Sequence, residues 1–402
     1  MPWKETQKMD QRMEFVMKAV RCSNFVELCR EYGVSRKTGY KWRERFVEHG
    51  IAGLEEESRR PHGHSEALKE QVVCEIIRLK NAHRHWGPRK IRELYRRKRG
   101  GELPSESSFK RVLERAGLIE RRRRRVAKEG GRPSDGRKAQ APNEVWTTDF
   151  KGWWRGGKGE RVEPLTVRDE YSCMILELKA VDNARTETIR ACFEDLFERH
   201  GLPGAIRSDN GAPFASHQAM LGLSRLSAWW LALGIDLERS RPGCPQDNPA
   251  HERMHLDIWR ELQSGRIGRD QNAFDLWRHE YNNQRPHESL NMAFPAEIYQ
   301  PSARPYTGTP QELDYGAMQT RLVNHCGSIK FEGESIMLST ALRGWNVGLA
   351  PQQNALVEVW FASLLVGHLD PHTSAFKPIQ VRKQKRPAAH NGLSTSTKTC
   401  KH

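Results

Sequence analysis

Through the first third of the chain apolar residues recur at helical spacing. Phe15, Val16 and Ala19 predict a helix near 11–21, and Phe25, Leu28 and Cys29 predict a second over 24–31, with Asn24 as its N-cap. Tyr32-Gly33-Val34 reads as a turn in which Gly33 supplies a left-handed backbone position. Ser35 opens a third helix: Trp42 and Phe46 form an i, i+4 apolar pair, and Arg36, Lys37, Tyr40, Lys41 and Arg43 occupy the opposite stripe. Helix, glycine turn and basic-faced helix is the helix-turn-helix pattern, whose last helix enters the major groove of DNA. After a linker over 55–65, a second three-helix set is predicted at 66–118. Its apolar positions are Val72, Val73, Ile76, Ile77 and Leu79, then Ile91, Leu94 and Tyr95, then Phe109, Val112 and Leu113. Pro88 suits the first turn of its middle helix and Ser105 caps its last.

From Val145 the period changes to that of strands. Val145–Trp153, Glu163–Arg168 and Ser172–Leu178 predict three antiparallel strands. A helix over 184–199 follows, then a short strand Ala205–Arg207, a helix over 217–233, a strand Ile235–Glu238 and a helix from about Asn248. That order is the order of an RNase H-like α/β domain, although order alone does not determine function. From 318 to 370 short alternating runs punctuated by Gly and Pro predict a small β-barrel.

Charge sharpens the picture. Residues 1–140 hold 36 Lys+Arg and 20 Asp+Glu, so 36 − 20 = +16, which is the whole excess of the chain; the remaining residues carry 30 of each. A basic segment of this kind follows a phosphate backbone. The run Arg121, Arg122, Arg123, Arg124 and Arg125 has no apolar period and is assigned to phosphate contact, as is a basic, disordered tail from Lys377. The eight cysteines form no CxxC pair, which argues against a zinc finger or a disulfide framework. No apolar stretch approaches a membrane span, so the expectation is a cytoplasmic, nucleoid-associated protein without a membrane partner.

Three blocks carry candidate chemistry: Val145-Trp146-Thr147-Thr148-Asp149-Phe150, Arg207-Ser208-Asp209-Asn210-Gly211-Ala212-Pro213-Phe214, and Gln246-Asp247-Asn248-Pro249-Ala250-His251-Glu252-Arg253. An Asp inside an apolar strand, as at Asp149, is costly unless it is used or paired. The blocks resemble the three signature blocks of DDE insertion-sequence transposases with a retroviral-integrase-type catalytic core. Glu280–Leu290 (EYNNQRPHESL) and Pro295-Ala296 resemble the same family, so the likeness extends over nearly the whole chain.

The resemblance implies that Asp149, Asp209 and Glu252 are catalytic and hold two Mg²⁺ ions, with Mn²⁺ as a possible substitute and Asp149 bridging both. Two metals about 3.5–4 Å apart activate a nucleophile and neutralise a leaving oxygen, and Mg²⁺ prefers hard oxygen ligands. The implied partners are double-stranded DNA, as element ends and as target, and further copies of the chain on that DNA. Asn210-Gly211 reads as a sharp turn using positive φ at the glycine, and Asn248 with Pro249 as the cap and first turn of the last helix. Asp169, Asp182 and Asp247 read as turn, helix-start and loop residues.

Two departures from the family pattern stand out. Asp209 and Glu252 lie 252 − 209 = 43 positions apart, longer than the family's usual gap, with the excess expected in Leu221–Trp230, away from the metals. Pro249 occupies a position where relatives often carry Gly. An altered copy admits a second reading, a catalytically defective or domesticated DNA-binding regulator, and a general RNase H-like nuclease is a third. Arg278, Arg285 and His287 either reach DNA or lie on solvated surface.

The expected architecture is therefore multidomain. All-α helix-turn-helix N-terminal domains occupy 1–54 and 66–120 around a 55–65 linker, and a basic linker covers 121–142. A central α/β RNase H-like core follows at 143–265, with a helical extension at 266–302. A small C-terminal β-barrel at 303–375 and a tail at 376–402 complete the chain.

Overall fold

The structure, a computed structural model, describes residues 8–56, 68–100, 103–119, 136–150, 152–155, 159, 161–181, 183–216, 219–241, 248–263, 270–352 and 356–379. Arg121–Arg125, Asp182, Asp247 and the tail beyond 379 lie outside these residues. The chain divides into two compact units, 1–69 and 70–402. No helix among the described residues is long and apolar enough to cross a membrane.

The first unit holds α1 (Lys8–Ala19), α2 (Phe25–Glu31) and α3 (Arg36–His49) around Phe15, Val16, Ala19, Leu28, Cys29, Val34, Trp42 and Leu54. Both expected caps form: Asn24 accepts from the Glu27 N–H, and Ser35 from the Thr38 N–H. Gly33 has φ +63, as the turn requires. Gly39 lets α3 cross the other helices closely, since a Cβ there would lie 2.8 Å from Cys29 Sγ and 3.0 Å from both Phe15 and Phe25 rings.

The second unit begins with α4 (Glu70–Ala82), α5 (Pro88–Arg99) and α6 (Glu106–Arg115), closed on Ile76, Leu79, Ile91, Leu94, Phe109 and Leu113. Pro88 begins α5, and Ser105 caps α6 by accepting from the Ser108 N–H. This trihelical part docks on the segment that follows the core. His83 Nδ1 lies 2.8 Å from Glu280 Oε1, while Arg97 pairs with Glu297 and covers the Phe294 ring at 3.8 Å. Part of its basic face is thus used inside the molecule.

The central sheet contains β1 (Val145–Phe150), β2 (Trp154–Arg155), β3 (Arg161–Asp169), β4 (Ile175–Val181), β5 (Ala205–Ser208) and β6 (Asp236–Arg239). β3 pairs antiparallel with both β1 and β4, whereas β1–β5 and β5–β6 are parallel. β2 forms a short antiparallel pair with β3. On one face α7 (Thr186–His200) and α8 (Arg225–Ala232) pack Ile189, Phe193, Phe197 and Trp230 against Trp146, Leu165 and Ile206. On the other, α9 (Pro249–Gln263) and α10 (Gln271–Asn283) bring Met254, Ile258, Phe274 and Trp277 onto Val162, Ile175 and Leu178.

α10 also closes the exposed edge of β4 with side-chain amides. Gln271 bonds the Ala180 N–H and the Leu178 carbonyl, and Asn282 bonds both polar groups of Ile175. Capping an edge strand in this way removes a template for aggregation. Arg278 donates to the Leu176 carbonyl and to Glu177 and belongs to the same clamp.

After the short helix α11 (Pro295–Ile298), the C-terminal strands are β7 (Gln319–Leu322), β8 (Ser328–Phe331), β9 (Glu334–Met337), β10 (Asn346–Pro351), β11 (Val357–Phe361), β12 (Leu364–Asp370) and β13 (Ala375–Pro378). They differ from the barrel expected. Among the described residues they form an open five-stranded sheet, β13-β12-β11-β10-β7, and a separate β8–β9 hairpin. Alternation, interrupted by a β-bulge at Val366 where β12 pairs with β11, places Val347, Leu349, Val359, Phe361, Val366 and Leu369 in one core, yet no ladder joins β7 to β13. The same core takes Leu223, Ala228, Leu231 and Ala232 from α8 and its approach. The segment between Asp209 and Glu252 includes α8, buried at every position from Leu226 to Ala232 and shared between two cores.

Candidate active site

Strand alternation gives β1 two unlike faces. Trp146 enters the α7/α8 core, while Thr147 and Asp149 point to α9. β1 and β5 run parallel, with Thr148 in register with Ser208. Asp149 and Asp209 are the residues that follow this last registered pair.

Asp149 is partly exposed; its Oδ1 accepts from the Phe150 N–H at 2.8 Å. Asp209 Oδ1 accepts from the Gly211 N–H at 3.0 Å, and Asn210 ties the loop to β6 by donating to the Ser240 carbonyl at 2.6 Å. Gly211 lies outside the positive-φ glycines, so its expected left-handed conformation is corrected. What demands glycine is proximity: a Cβ there would lie 2.8 Å from Asp209 Oδ2. Arg239 is the nearby cation. Burial lowers its pKa and Asp209 acts in the opposite sense.

Glu252 sits exposed in the first turn of α9, its N–H donating to the Asn248 carbonyl at 3.1 Å. The groups nearest Asp149 on this helix are instead His251 and His255. Their ligand atoms and a carboxylate oxygen of Asp149 all lie within 4.8 Å of one another. Among the described residues this is the one such group of three, and neither Asp209 nor Glu252 joins it.

The two histidines rest on threonines. Thr166, paired with Asp149 across β1 and β3, places its hydroxyl 2.8 Å from the Asp149 carbonyl, 2.6 Å from His251 Nε2 and 2.8 Å from His255 Nε2. Thr147 Oγ1 lies 2.9 Å from His251 Nδ1. Burial holds the His251 pKa well below the ordinary histidine value, with His255 and Arg168 adding to the effect, so its ring is neutral. Attention to carboxylates alone passes over both imidazoles. The spacing His251-Glu252-Arg253-Met254-His255, which puts two histidines on one helix face, is the signal that exposes them.

Asp169, expected in a turn, is instead the buried last residue of β3, and its carboxylate braces the turn that follows. It accepts from the Asn143 and Ser172 N–H groups and from the Ser172 hydroxyl. The donor chemistry at Asp149 and the His pair, hard carboxylate oxygen with imidazole beside it, fits a divalent ion.

Residues 139–245 and 233–295 match two families, each described as Integrase core domain. Residues 11–62 match a Helix-turn-helix domain and 38–113 a Homeodomain-like domain. The chain is 29% identical over 236 residues to the insertion element IS407 uncharacterized 31.7 kDa protein of Burkholderia multivorans, covering 57% of this chain and 80% of that one. It is 26% identical over 261 residues to the insertion element IS476 uncharacterized 39.2 kDa protein of Xanthomonas euvesicatoria, covering 62% and 70%. The chain carries an integrase-type core and is similar to insertion-element proteins.

Among solved structures it is similar to the HTLV-2 integrase catalytic core domain in complex with magnesium, with TM-score 0.32, 15% identity and coverage of 40% of this chain and 99% of that one. The simian T-cell lymphotropic virus intasome in complex with PP2A regulatory subunit B56 gamma gives TM-score 0.35, 13% identity and coverage of 72% and 97%.

The outer face of α3 presents Arg36, Lys37, Tyr40 and Lys41 exposed, with Arg43 half-buried. Tyr40 stacks on Phe25 at 4.3 Å, and Arg43 lies over both rings. Arg285 and His287 differ from the surface positions considered for them. Arg285 is buried against Asp257 and Glu261, and burial drives the His287 pKa down to about 2.

Proposed function

We propose that the chain is a Mg²⁺-dependent DDE transposase. It binds the ends of a mobile DNA element, cleaves them hydrolytically and joins the freed 3′-hydroxyls to target DNA. The observation that supports this reading is the strand register at one end of β1: Asp149 and Asp209 each follow a registered pair on adjacent parallel strands, and α9, which bears Glu252, seats His255 against Asp149.

Asp149, Asp209 and Glu252 are the residues that would hold two divalent ions, Mg²⁺ or Mn²⁺. Such ions supply activation of the attacking oxygen and neutralisation of the leaving one. The protein's own contribution is positional. β1 and β5 fix two carboxylates, the Asn210–Ser240 bond steadies the loop after Asp209, and the threonine-histidine layer supports Asp149 from below.

Arg36, Lys37, Tyr40, Lys41 and Arg43 read the element ends, and Arg121–Arg125 track the backbone between the binding and catalytic domains. Two ends cut together require more than one copy of the chain on DNA. The division into end-binding domains (1–54 and 66–120), core (143–265) and C-terminal domain (303–375) follows this assignment.

The test uses the full chain, DNA carrying the inverted repeats that flank its reading frame, and Mg²⁺. Asp149→Asn, Asp209→Asn and Glu252→Gln each abolish nicking and strand transfer while gel-shift binding to the ends persists. Full activity in any of the three overturns the assignment. End binding by the unaltered chain with no metal-dependent nicking identifies a DNA-binding regulator instead.

A further inference from the structure

The hydrogen bonds beneath Asp149 determine where two protons reside. A threonine hydroxyl has one donor and two acceptor positions. The Asp149 carbonyl can only accept, so the Thr166 proton goes there, at 2.8 Å. Both imidazoles then reach Thr166 Oγ1 as donors, from His251 Nε2 at 2.6 Å and His255 Nε2 at 2.8 Å. The second nitrogen of His251 lies 2.9 Å from Thr147 Oγ1, whose hydroxyl also donates to the Arg168 carbonyl at 3.4 Å. The second nitrogen of His255 faces Asp149 Oδ2 at 3.9 Å.

That separation is too long for a hydrogen bond, which ends near about 3.2 Å. It is within the span of two bonds of about 2.0–2.1 Å each to a shared cation. A proton on Nδ1 or a cation between the two atoms would each satisfy this pair. H-E-x-x-H helices bind zinc through both imidazoles, but here Thr166 engages Nε2 of each, so only Nδ1 of His255 is directed to the carboxylate.

We infer that His255 Nδ1 is a nitrogen ligand to the divalent ion carried by Asp149, set in its tautomer by Thr166. The inference rests on the carboxylate reading above and adds a donor of a different kind. Imidazole suits Mn²⁺ and later transition metals better than Mg²⁺, which favours oxygen. The site therefore discriminates toward Mn²⁺ more than three carboxylates would.

The experiment is pulsed electron paramagnetic resonance of Mn²⁺ bound to the full chain, without DNA and without turnover. Wild-type protein shows electron-spin-echo modulation from directly coordinated ¹⁴N, and the pattern changes on labelling with [¹⁵N]histidine. His255→Gln removes the modulation and lowers the Mn²⁺ over Mg²⁺ affinity ratio at least about tenfold, while His251→Gln retains it. Thr166→Val, equal in shape but without the hydroxyl, weakens Mn²⁺ binding about 10–100-fold, and Thr166→Ser restores it.

Should the histidine variants unfold, the isotope comparison on wild-type protein still decides. Mn²⁺ bound in an Asp149-dependent way with oxygen ligands only overturns the inference and leaves the carboxylate reading standing. Failure of wild type to bind Mn²⁺ at all overturns both.

Discussion

Arg285 Nη2 donates to Asp257 Oδ2 at 2.7 Å, and both side chains are almost wholly withdrawn from solvent. The pair fastens the segment after α10 to the inner face of α9, the helix that bears Glu252, and Glu261 takes the other Arg285 nitrogen at 3.0 Å. Removing one partner strands a buried charge, which costs about 3–5 kcal/mol. Arg285→Ala is expected to lose that much stability in chemical denaturation. An Arg285→Ala protein of wild-type stability but weaker DNA affinity would return this arginine to the DNA surface.

A methyl group at Gly39 has nowhere to go. It would meet Cys29 Sγ at 2.8 Å and two phenyl rings at 3.0 Å. Gly39→Ala gains helix propensity of about 1 kcal/mol yet pays overpacking of about 1–3 kcal/mol. Net destabilisation of the first unit is expected, with a lower melting temperature and weaker end binding. A neutral or stabilising effect would mean that α3 crosses α1 and α2 less closely.

The exposed cations of α3 are read by salt. Each phosphate contact contributes about −0.9 to the slope of log K against log salt. Lys37→Ala and Lys41→Ala should each reduce the magnitude of that slope by about one, with little change between DNA sequences. Unchanged slopes would take these lysines off the phosphate backbone.

Burial lowers the His200 pKa from 6.5 to about 4, with the Arg199 and Arg278 charges adding to the effect. The folded state therefore prefers neutral His200. Its contribution to stability is complete above the unfolded value of 6.5 and is lost as pH falls toward about 4, because the unfolded chain takes up the proton first. His200→Phe, which keeps a ring against Trp146, should flatten the dependence of unfolding free energy on pH between these limits. An undiminished slope in the variant would place the effect elsewhere.

Local features were the legible ones. Asn24, Ser35 and Ser105 cap their helices as the sequence predicts, because a cap bonds a backbone group only three residues away. Asp149 is legible as an acid inside an apolar strand and Asp209 as an acid between a short strand and a turn signal. The His pair under Asp149 is not, because its meaning lies in Thr147 and Thr166, which are distant in the chain. Arg285 reads as a surface cation until Asp257 and Glu261 are found beside it. The C-terminal alternation predicts strands correctly and cannot reveal closure, which depends on whether β7 and β13, at opposite ends of the segment, share a ladder.

Because α8 contributes residues to the integrase core on one side and to the C-terminal sheet on the other, neither can be exchanged as a free cassette. A chimaera that joined this core to another homologue's C-terminal segment would inherit the wrong counterpart for Leu231 and Ala228. Transplanting the sheet would mean transplanting α8 with it.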